Sequence, residues 1–211
     1  MADAARHCTS CEGRDKFRFK LTPRCRYHLM VMDASDKRYL SGDEVLLDSF
    51  RLARKIYDSR WDPDLLVILW RGGAPVGLAI HEFFVYKGLR KEHLPVKCSS
   101  YAGLRQAQPP EISLAPQQIE MIRAGQRVLI VDDIFDTGLT TSRMRQIVAS
   151  RGAEARVATL FWKPSRNCTA DRPDFYLHAT NQWIVFPHEL DGLTREEVRR
   201  KSPEIEALLH D

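Results

Sequence analysis

The residues from Arg127 to Thr141, RVLIVDDIFDTGLTT, hold the densest chemistry in the chain. Val128 to Val131 is an unbroken apolar run that ends in two carboxylates, Asp132 and Asp133. Such a run reads as a parallel strand covered on both faces, with polar groups at its C-terminal lip. A third carboxylate follows at Asp136, then Thr137, Gly138, Leu139, Thr140 and Thr141, leading into a helix predicted over Ser142–Ser150. A helix start leaves N–H groups unpaired, and a Gly-containing turn rich in hydroxyls aims those donors at one point, as a phosphate requires. Carboxylates beside a phosphate repel it unless they accept hydrogen bonds from sugar hydroxyls or hold a hard cation. Mg²⁺ takes oxygens from carboxylates and phosphates together. The stretch therefore asks for a phosphorylated sugar with Mg²⁺. A reading in which the acids are solvated and the threonines only cap a helix is disfavoured, because motif, strand and helix agree.

The elements that would position this turn follow from the rest of the sequence. Ser41 to about Ser59 is the first predicted helix, with Ser41 and Glu44 as a capping box and Val45, Ser49, Leu52, Ala53 and Ile56 at helical spacing. Leu65–Trp70, LLVILW, reads as a second fully covered strand. It feeds Arg71, Gly72, Gly73, Ala74 and Pro75 and a helix to about Tyr86. Glycines let backbone N–H groups approach an anion closely, so this turn is a second candidate anion site, or else a plain tight strand-to-helix turn. His81 in that helix reads as a surface or packed residue. Val96–Tyr101 is a further predicted strand, and Ala102–Pro116, with Pro109, Pro110 and Pro116, a long loop of the kind that serves as a lid. Gln117–Arg123 is a short predicted helix ended at Gly125. Arg156–Trp162 and Phe175–Ala179 are predicted strands, the first ending in Lys163-Pro164-Ser165-Arg166 and the second followed by Asn181–Glu189. Thr194–Asp211 reads as one or two charged helices with no function assigned.

Two acids, two apolar residues and Asp-Thr-Gly-x-Thr after an apolar strand resemble the signature of type I phosphoribosyltransferases, which bind phosphoribosyl pyrophosphate (PRPP). The resemblance spans about residues 38–193 and involves four separated motifs in order. It implies an α/β fold with a central, mainly parallel sheet flanked by helices and a small hood subdomain. By motif position, Asp132 and Asp133 contact the ribose hydroxyls and Mg²⁺, and Asp136 through Thr141 cradle the 5′-phosphate. Arg71, Gly72 and Gly73 resemble the pyrophosphate loop of the purine enzymes, with a cis peptide at Trp70–Arg71. Ser100 and Tyr101 resemble the start of the mobile loop that closes over the site. Lys163 resembles the lysine that hydrogen-bonds the C6 oxygen of a 6-oxopurine; an ammonium has three donors and no acceptor, so it leaves the amino group of adenine unpaired. Trp183 resembles the ring that stacks on the purine, Ile184 the residue giving main-chain contacts to the base edge, and Glu189 the acid beside a second Mg²⁺, with Asp191 as the other choice. Asp136 is implied to face N7 of the purine. The expected reaction joins hypoxanthine, guanine or xanthine to PRPP in purine salvage, as in bacterial-type enzymes that assemble as dimers or tetramers. Two rivals are a non-catalytic PRPP-sensing regulator and a transferase for another base.

The 211 residues, 44% hydrophobic and 28% charged, suit one α/β domain with a small appendage. The expected division is an N-terminal extension over 1–37, a transferase domain over 38–193 and a helical tail over 194–211. No apolar run approaches the length needed to span a bilayer and the N-terminus lacks a secretory core, so cytoplasm is expected and a membrane partner is not. Residues 1–40 hold nine Lys or Arg against five Asp or Glu, while the remainder holds 23 of each, so the net charge of +4 lies in those first forty residues; nucleic-acid binding is not expected. Within it, Cys8, Cys11, Cys25 and His28 form C-x2-C-x13-C-x2-H, a spacing compatible with structural Zn²⁺. Cysteines in a reduced tail, or an upstream extension before Met30 or Met32, are the competing readings. Cys98 and Cys168 are expected as buried or free thiols.

Overall fold

The computed structural model describes residues 37–99 and 110–209. The proposed zinc ligands Cys8, Cys11, Cys25 and His28, together with Ser100 and Tyr101, lie outside the described residues. In chain order the elements are β1 (Lys37–Tyr39), α1 (Gly42–Asp58), β2 (Leu65–Trp70), α2 (Gly73–Tyr86), β3 (Glu92–Ser99), β4 (Glu111–Ser113), α3 (Pro116–Glu120), β5 (Arg127–Phe135), α4 (Leu139–Ser150), β6 (Glu154–Trp162), β7 (Phe175–Ala179), β8 (Trp183–Val185), α5 (Arg195–Lys201) and α6 (Pro203–Leu209). Six strands form one sheet in the order β4-β3-β2-β5-β6-β7, parallel except for β4, while β1 and β8 make a separate parallel pair.

The two apolar runs become the central strands β2 and β5, paired from Leu65↔Val128 to Ile68↔Val131. Because side chains alternate across a strand, each run supplies two cores. Leu66, Ile68, Leu129 and Val131 face one cluster with Leu52 and Ile56 of α1 and Val76, Ile80 and Phe84 of α2. Leu65, Val67, Leu69, Val128 and Ile130 face the other, with Met144 and Val148 of α4. From β2 the chain crosses to β3 on one side, and from β5 to β6 on the other. The C-terminal ends of β2 and β5 therefore flank the point where the winding reverses, which is where open α/β sheets bind ligands.

The first helix forms as its pattern predicts. Ser41 Oγ accepts from Glu44 N–H at 3.1 Å, Glu44 Oε2 accepts from Ser41 N–H at 2.8 Å, and Val45, Ser49, Leu52, Ala53 and Ile56 are buried. Other boundaries differ. The signature strand does not stop at Val131 but runs through both acids to Phe135, because nine-residue β6 pairs with it as far as Phe135↔Trp162. The helix after the phosphate turn starts at Leu139 rather than Ser142, since Gly138, at φ +77°, turns the chain directly into it. Strand β3 begins at Glu92 rather than Val96 and takes in Pro95, whose carbonyl accepts from Gln118 Nε2 on the side away from β2. The same edge holds an element that the loop reading missed: β4 pairs antiparallel with Lys97–Ser99, three residues hidden between prolines. The short helix ends at Glu120, before the predicted Arg123.

Gly77 sets how closely α2 lies on β2: a Cβ there would sit 2.7–2.8 Å from Ile68 side-chain carbons. Gly77→Val should lower unfolding free energy in urea by about 1–3 kcal/mol through overpacking. Gly42→Ala, at the start of α1 with nothing within 4 Å, should leave it unchanged or raise it by about 0.4–1 kcal/mol.

Candidate active site

A cleft of about 990 Å³ opens at the reversal point. One wall is the loop after β2, where the Trp70–Arg71 peptide is cis, as the motif implied. The glycines of this loop are required by contact rather than by backbone sign. Gly72 is in the right-handed region, but a Cβ on it would lie 2.4–2.5 Å from the Asp133 carboxylate. A Cβ on Gly73 would lie 2.4 Å from the carbonyl oxygen of Val131. The loop thus rests directly on β5. Arg71 projects outward, with Asp191 3.6 Å from its guanidinium.

The opposite wall is the end of β5 and the turn beyond it. Asp133 is 6% exposed, and His188 Nε2 stands 3.4 Å from its Oδ2. Burial and then the neighbouring Asp133 hold the Asp132 carboxyl well above the usual carboxylate range. Burial, with Asp132 nearby, also pushes the Cys98 thiol up to about 12, so this free cysteine at the cleft edge stays protonated. In the turn, Thr137 Oγ1 accepts from Leu139 N–H at 3.4 Å and Thr141 Oγ1 donates to the Gly138 carbonyl at 3.1 Å. Gly138 combines a left-handed φ with close packing: a Cβ would meet the Phe135 ring at 2.5 Å and Thr169 Oγ1 at 2.8 Å. Asp132, Asp133, Asp136, Thr137, Gly138, Thr140 and Thr141 all line the cleft; Leu139, the remaining residue of the turn, does not.

Asp136 joins this turn to a second group of residues. Lys163 N–H donates to the Phe135 carbonyl at 2.9 Å, which fixes the end of β6 against the end of β5. The Lys163 ammonium is then 3.9 Å from Asp136 Oδ2, and Arg166 Nε is 2.6 Å from Asp136 Oδ1. Lys163 is 4% exposed; burial pulls its pKa down and Asp136 opposes that shift. Its ammonium lies 5.6 Å from the ring centroid of Trp183, which is 42% exposed at the start of β8. Ile184 is buried in the core, consistent with its main chain rather than its side chain being on offer. Lys163, Trp183 and Ile184 are not cleft-lining residues; they continue from it through Asp136.

Of the two acids considered beyond β8, Glu189 is the one set inward. Its Oε2 accepts from Phe186 N–H at 3.1 Å, and burial, reinforced by Asp133, raises its carboxyl. The Asp191 carboxylate is 84% exposed. Among the described residues no three His, Cys, Asp or Glu side chains converge as a cation site. Among the basic side chains lining the cleft, Lys97, Arg166 and His188 had no role in the sequence reading; Arg166 was readable only as part of KPSR, and for His188 the neighbouring Glu189 was the only cue.

Residues 35–191 match the phosphoribosyl transferase domain. The chain is similar to the hypoxanthine-guanine phosphoribosyltransferase of Lactococcus lactis, 28% identical over 181 residues that cover 83% of this chain and 92% of that one. A segment of 90 residues is 36% identical to the xanthine-guanine phosphoribosyltransferase of Cereibacter sphaeroides, covering 41% of this chain and 48% of that protein. The purine phosphoribosyltransferase of Pyrococcus horikoshii superposes with a TM-score of 0.60 at 29% identity, over 75% of this chain and 97% of that one. With the match covering most of the chain and the reversal-point cleft carrying the motif, this protein belongs to the phosphoribosyltransferase family.

Proposed function

We propose that the cleft transfers the 5-phosphoribosyl group from PRPP to N9 of a 6-oxopurine (hypoxanthine, guanine or xanthine), giving the nucleoside monophosphate and pyrophosphate. The observation that carries this reading is the Asp136–Lys163–Trp183 series, which sets a carboxylate, a buried ammonium and an exposed ring side by side at the end of the phosphate turn. A buried ammonium favours a carbonyl partner over an amino group, and a flat exposed ring favours a flat base. The names of the similar proteins, which concern hypoxanthine, guanine, xanthine and purine, support the same substrate class.

In this reading the turn from Asp136 to Thr141 holds the 5′-phosphate, Asp132 and Asp133 receive the ribose hydroxyls, and the loop Arg71–Gly73 receives pyrophosphate. Ser100 and Tyr101 would begin the covering loop. The bond from C1′ to pyrophosphate oxygen breaks with its electrons leaving on pyrophosphate, N9 bonds to C1′, and the proton lost by the base passes to the Asp136 carboxylate. Trp183 and the main chain at Ile184 hold the base while Lys163 donates to its C6 oxygen. The acids suit a cation that the protein binds only in part: Asp132, Asp133 and Glu189 all line the cleft, and burial raises the carboxyls of Asp132 and Glu189. These three would hold Mg²⁺ with the oxygens of PRPP, and Mg²⁺ would supply neutralisation of the departing pyrophosphate. The transferase body is residues 38–193, acting in the cytoplasm. Among the described residues no helix is long and apolar enough to cross a membrane. Exposed Leu78 and Tyr86 on α2 offer surface that a dimer or tetramer would cover.

Pyrophosphate release measured with Mg²⁺ and PRPP against hypoxanthine, guanine, xanthine, adenine and uracil tests the reading. Turnover should be confined to 6-oxopurines; PRPP binding without turnover on any base would favour the sensor instead. Asp136→Asn should lower kcat about 10²- to 10⁴-fold with little change in PRPP affinity. Equal losses in both would remove Asp136 from the proton transfer. Lys163→Met should shrink the preference for hypoxanthine over adenine by about 1–3 kcal/mol in kcat/KM. Gly72→Ala, which drives a methyl into the Asp133 carboxylate, should raise KM for PRPP more than KM for the base.

A further inference from the structure

The match to the family ends at residue 191, yet the helix that follows is fastened to the hood at two places. Thr194 caps α5: its Oγ1 accepts from Glu197 N–H at 3.3 Å, and its own N–H donates to Glu197 Oε2 at 2.9 Å. The other oxygen of Glu197 accepts from the Lys37 ammonium. Lys37 opens β1 opposite Trp183 in the β1–β8 ladder, and its ammonium lies 5.8 Å from the Trp183 ring centroid. One turn further along α5, Lys201 donates to the main-chain carbonyl of Glu189. Residues four apart share a helix face, so Glu197 and Lys201 reach the hood from the same side. Val198 is buried, and the Arg200 guanidinium lies 5.1 Å from the Tyr39 ring centroid, which holds the helix on β1.

The first fastening is an ion pair largely screened from water, whereas the second, from the Lys201 ammonium to a main-chain carbonyl, is exposed. The Lys37 and Glu197 side chains are 18% and 19% exposed, and the Lys37 ammonium, then the Thr194 N–H, pull the Glu197 carboxyl to about 2. Removing one partner of the covered ion pair leaves the other unpaired, so the group it holds should shift rather than relax in place. Removing Lys201 takes away a charged donor that ties the Glu189 main chain to α5.

We infer that α5 is a brace of the active site, in which Glu197 positions Trp183 through Lys37 and Lys201 positions Glu189. The inference rests on the transferase reading, and it gives the tail two separable effects, one on the base and one on the cation and PRPP. Neither residue touches substrate; each is a positioning residue.

The test uses the full chain as Glu197→Gln, Lys201→Met and Lys201→Arg, with calorimetric titration of PRPP at varied Mg²⁺, calorimetric titration of hypoxanthine and guanine, steady-state KM and kcat, and urea unfolding. Lys201→Met should raise the Mg²⁺ concentration that half-saturates PRPP binding about tenfold, the scale of losses around cation sites, without changing base affinity. Lys201→Arg should restore most of it. Glu197→Gln should weaken base binding and raise base KM about threefold to tenfold while leaving Mg²⁺-dependent PRPP binding alone. Unchanged ligand binding in both variants would overturn the brace. So would equal losses toward both ligands, or losses that track a lowered unfolding midpoint and that arginine does not rescue. A wild-type protein without turnover on any base would overturn the transferase reading instead, and the PRPP titrations would still decide for Lys201.

Discussion

The constraint on which the site depends is the contact between the loop after β2 and the end of β5. Two successive positions in that loop have no room for a Cβ, one because of the Asp133 carboxylate and the other because of the Val131 carbonyl. Strand pairing sets the strands about 4.8 Å apart, and glycine lets the loop close what remains of that gap at the sheet's end. In the proposed function, the loop that would receive pyrophosphate and the acids that would face the sugar thereby share one rigid seam. The distance between the leaving group and the ribose would then be fixed by main chain. That kind of positioning is worth most in a reaction whose barrier lies in aligning a bond that breaks with one that forms.

The charges around the seam are arranged in opposition to one another before any substrate arrives. Asp132, Asp133 and Glu189 are acids of one cleft, of which Asp133 is buried, and His188 stands against it. Asp136 carries the opposite pattern, with Lys163 on one oxygen and Arg166 on the other. The acidic group lacks compensation that a cation and sugar hydroxyls would provide, whereas Asp136 is already compensated. In the proposed function, a base approaching Asp136 through N7 would compete with Arg166 and cooperate with Lys163. Preorganised charge of this kind lowers a barrier because the protein has met the cost of arranging it during folding.

The parts of this architecture that were legible in the sequence are those with local causes. Ser41 and Glu44 cap α1 by a pattern three residues long, and LLVIL and VLIV are apolar enough to be covered on both faces, whereas Trp70, which ends the first run, is 51% exposed at the cleft. The phosphate turn was legible because Gly138, the hydroxyls and the acids are contiguous. The strand's extension to Phe135 was not, because it depends on β6, a partner with no signature in the residues of β5. Strand β4 was hidden for the same reason, being held only by its pairing to Lys97–Ser99. His188 was missed because its meaning comes from Asp133, 55 positions earlier in the chain. The glycines of the loop were singled out for anion approach, whereas what the structure shows them needed for is contact with β5.

The segment from Trp183 to Glu189 joins parts far apart in the chain, and its anchor is the main core. Ile184 and Phe186 are buried in the same core as Leu129 and Val131, and the Phe186 ring meets Phe161 edge-on at 5.8 Å and stacks on His188 at 5.5 Å. Trp183, at the start of β8, is 42% exposed, and Glu189, beyond the strand, lines the cleft. The segment thus combines side chains that anchor it in the core with others left accessible. A ring placed on a strand this short needs the strand held. Pairing with β1 gives β8 its sheet neighbour, and β1 is in turn held by α5. In the proposed function, base recognition would therefore depend on both ends of the described chain, although the residues proposed for PRPP lie between them.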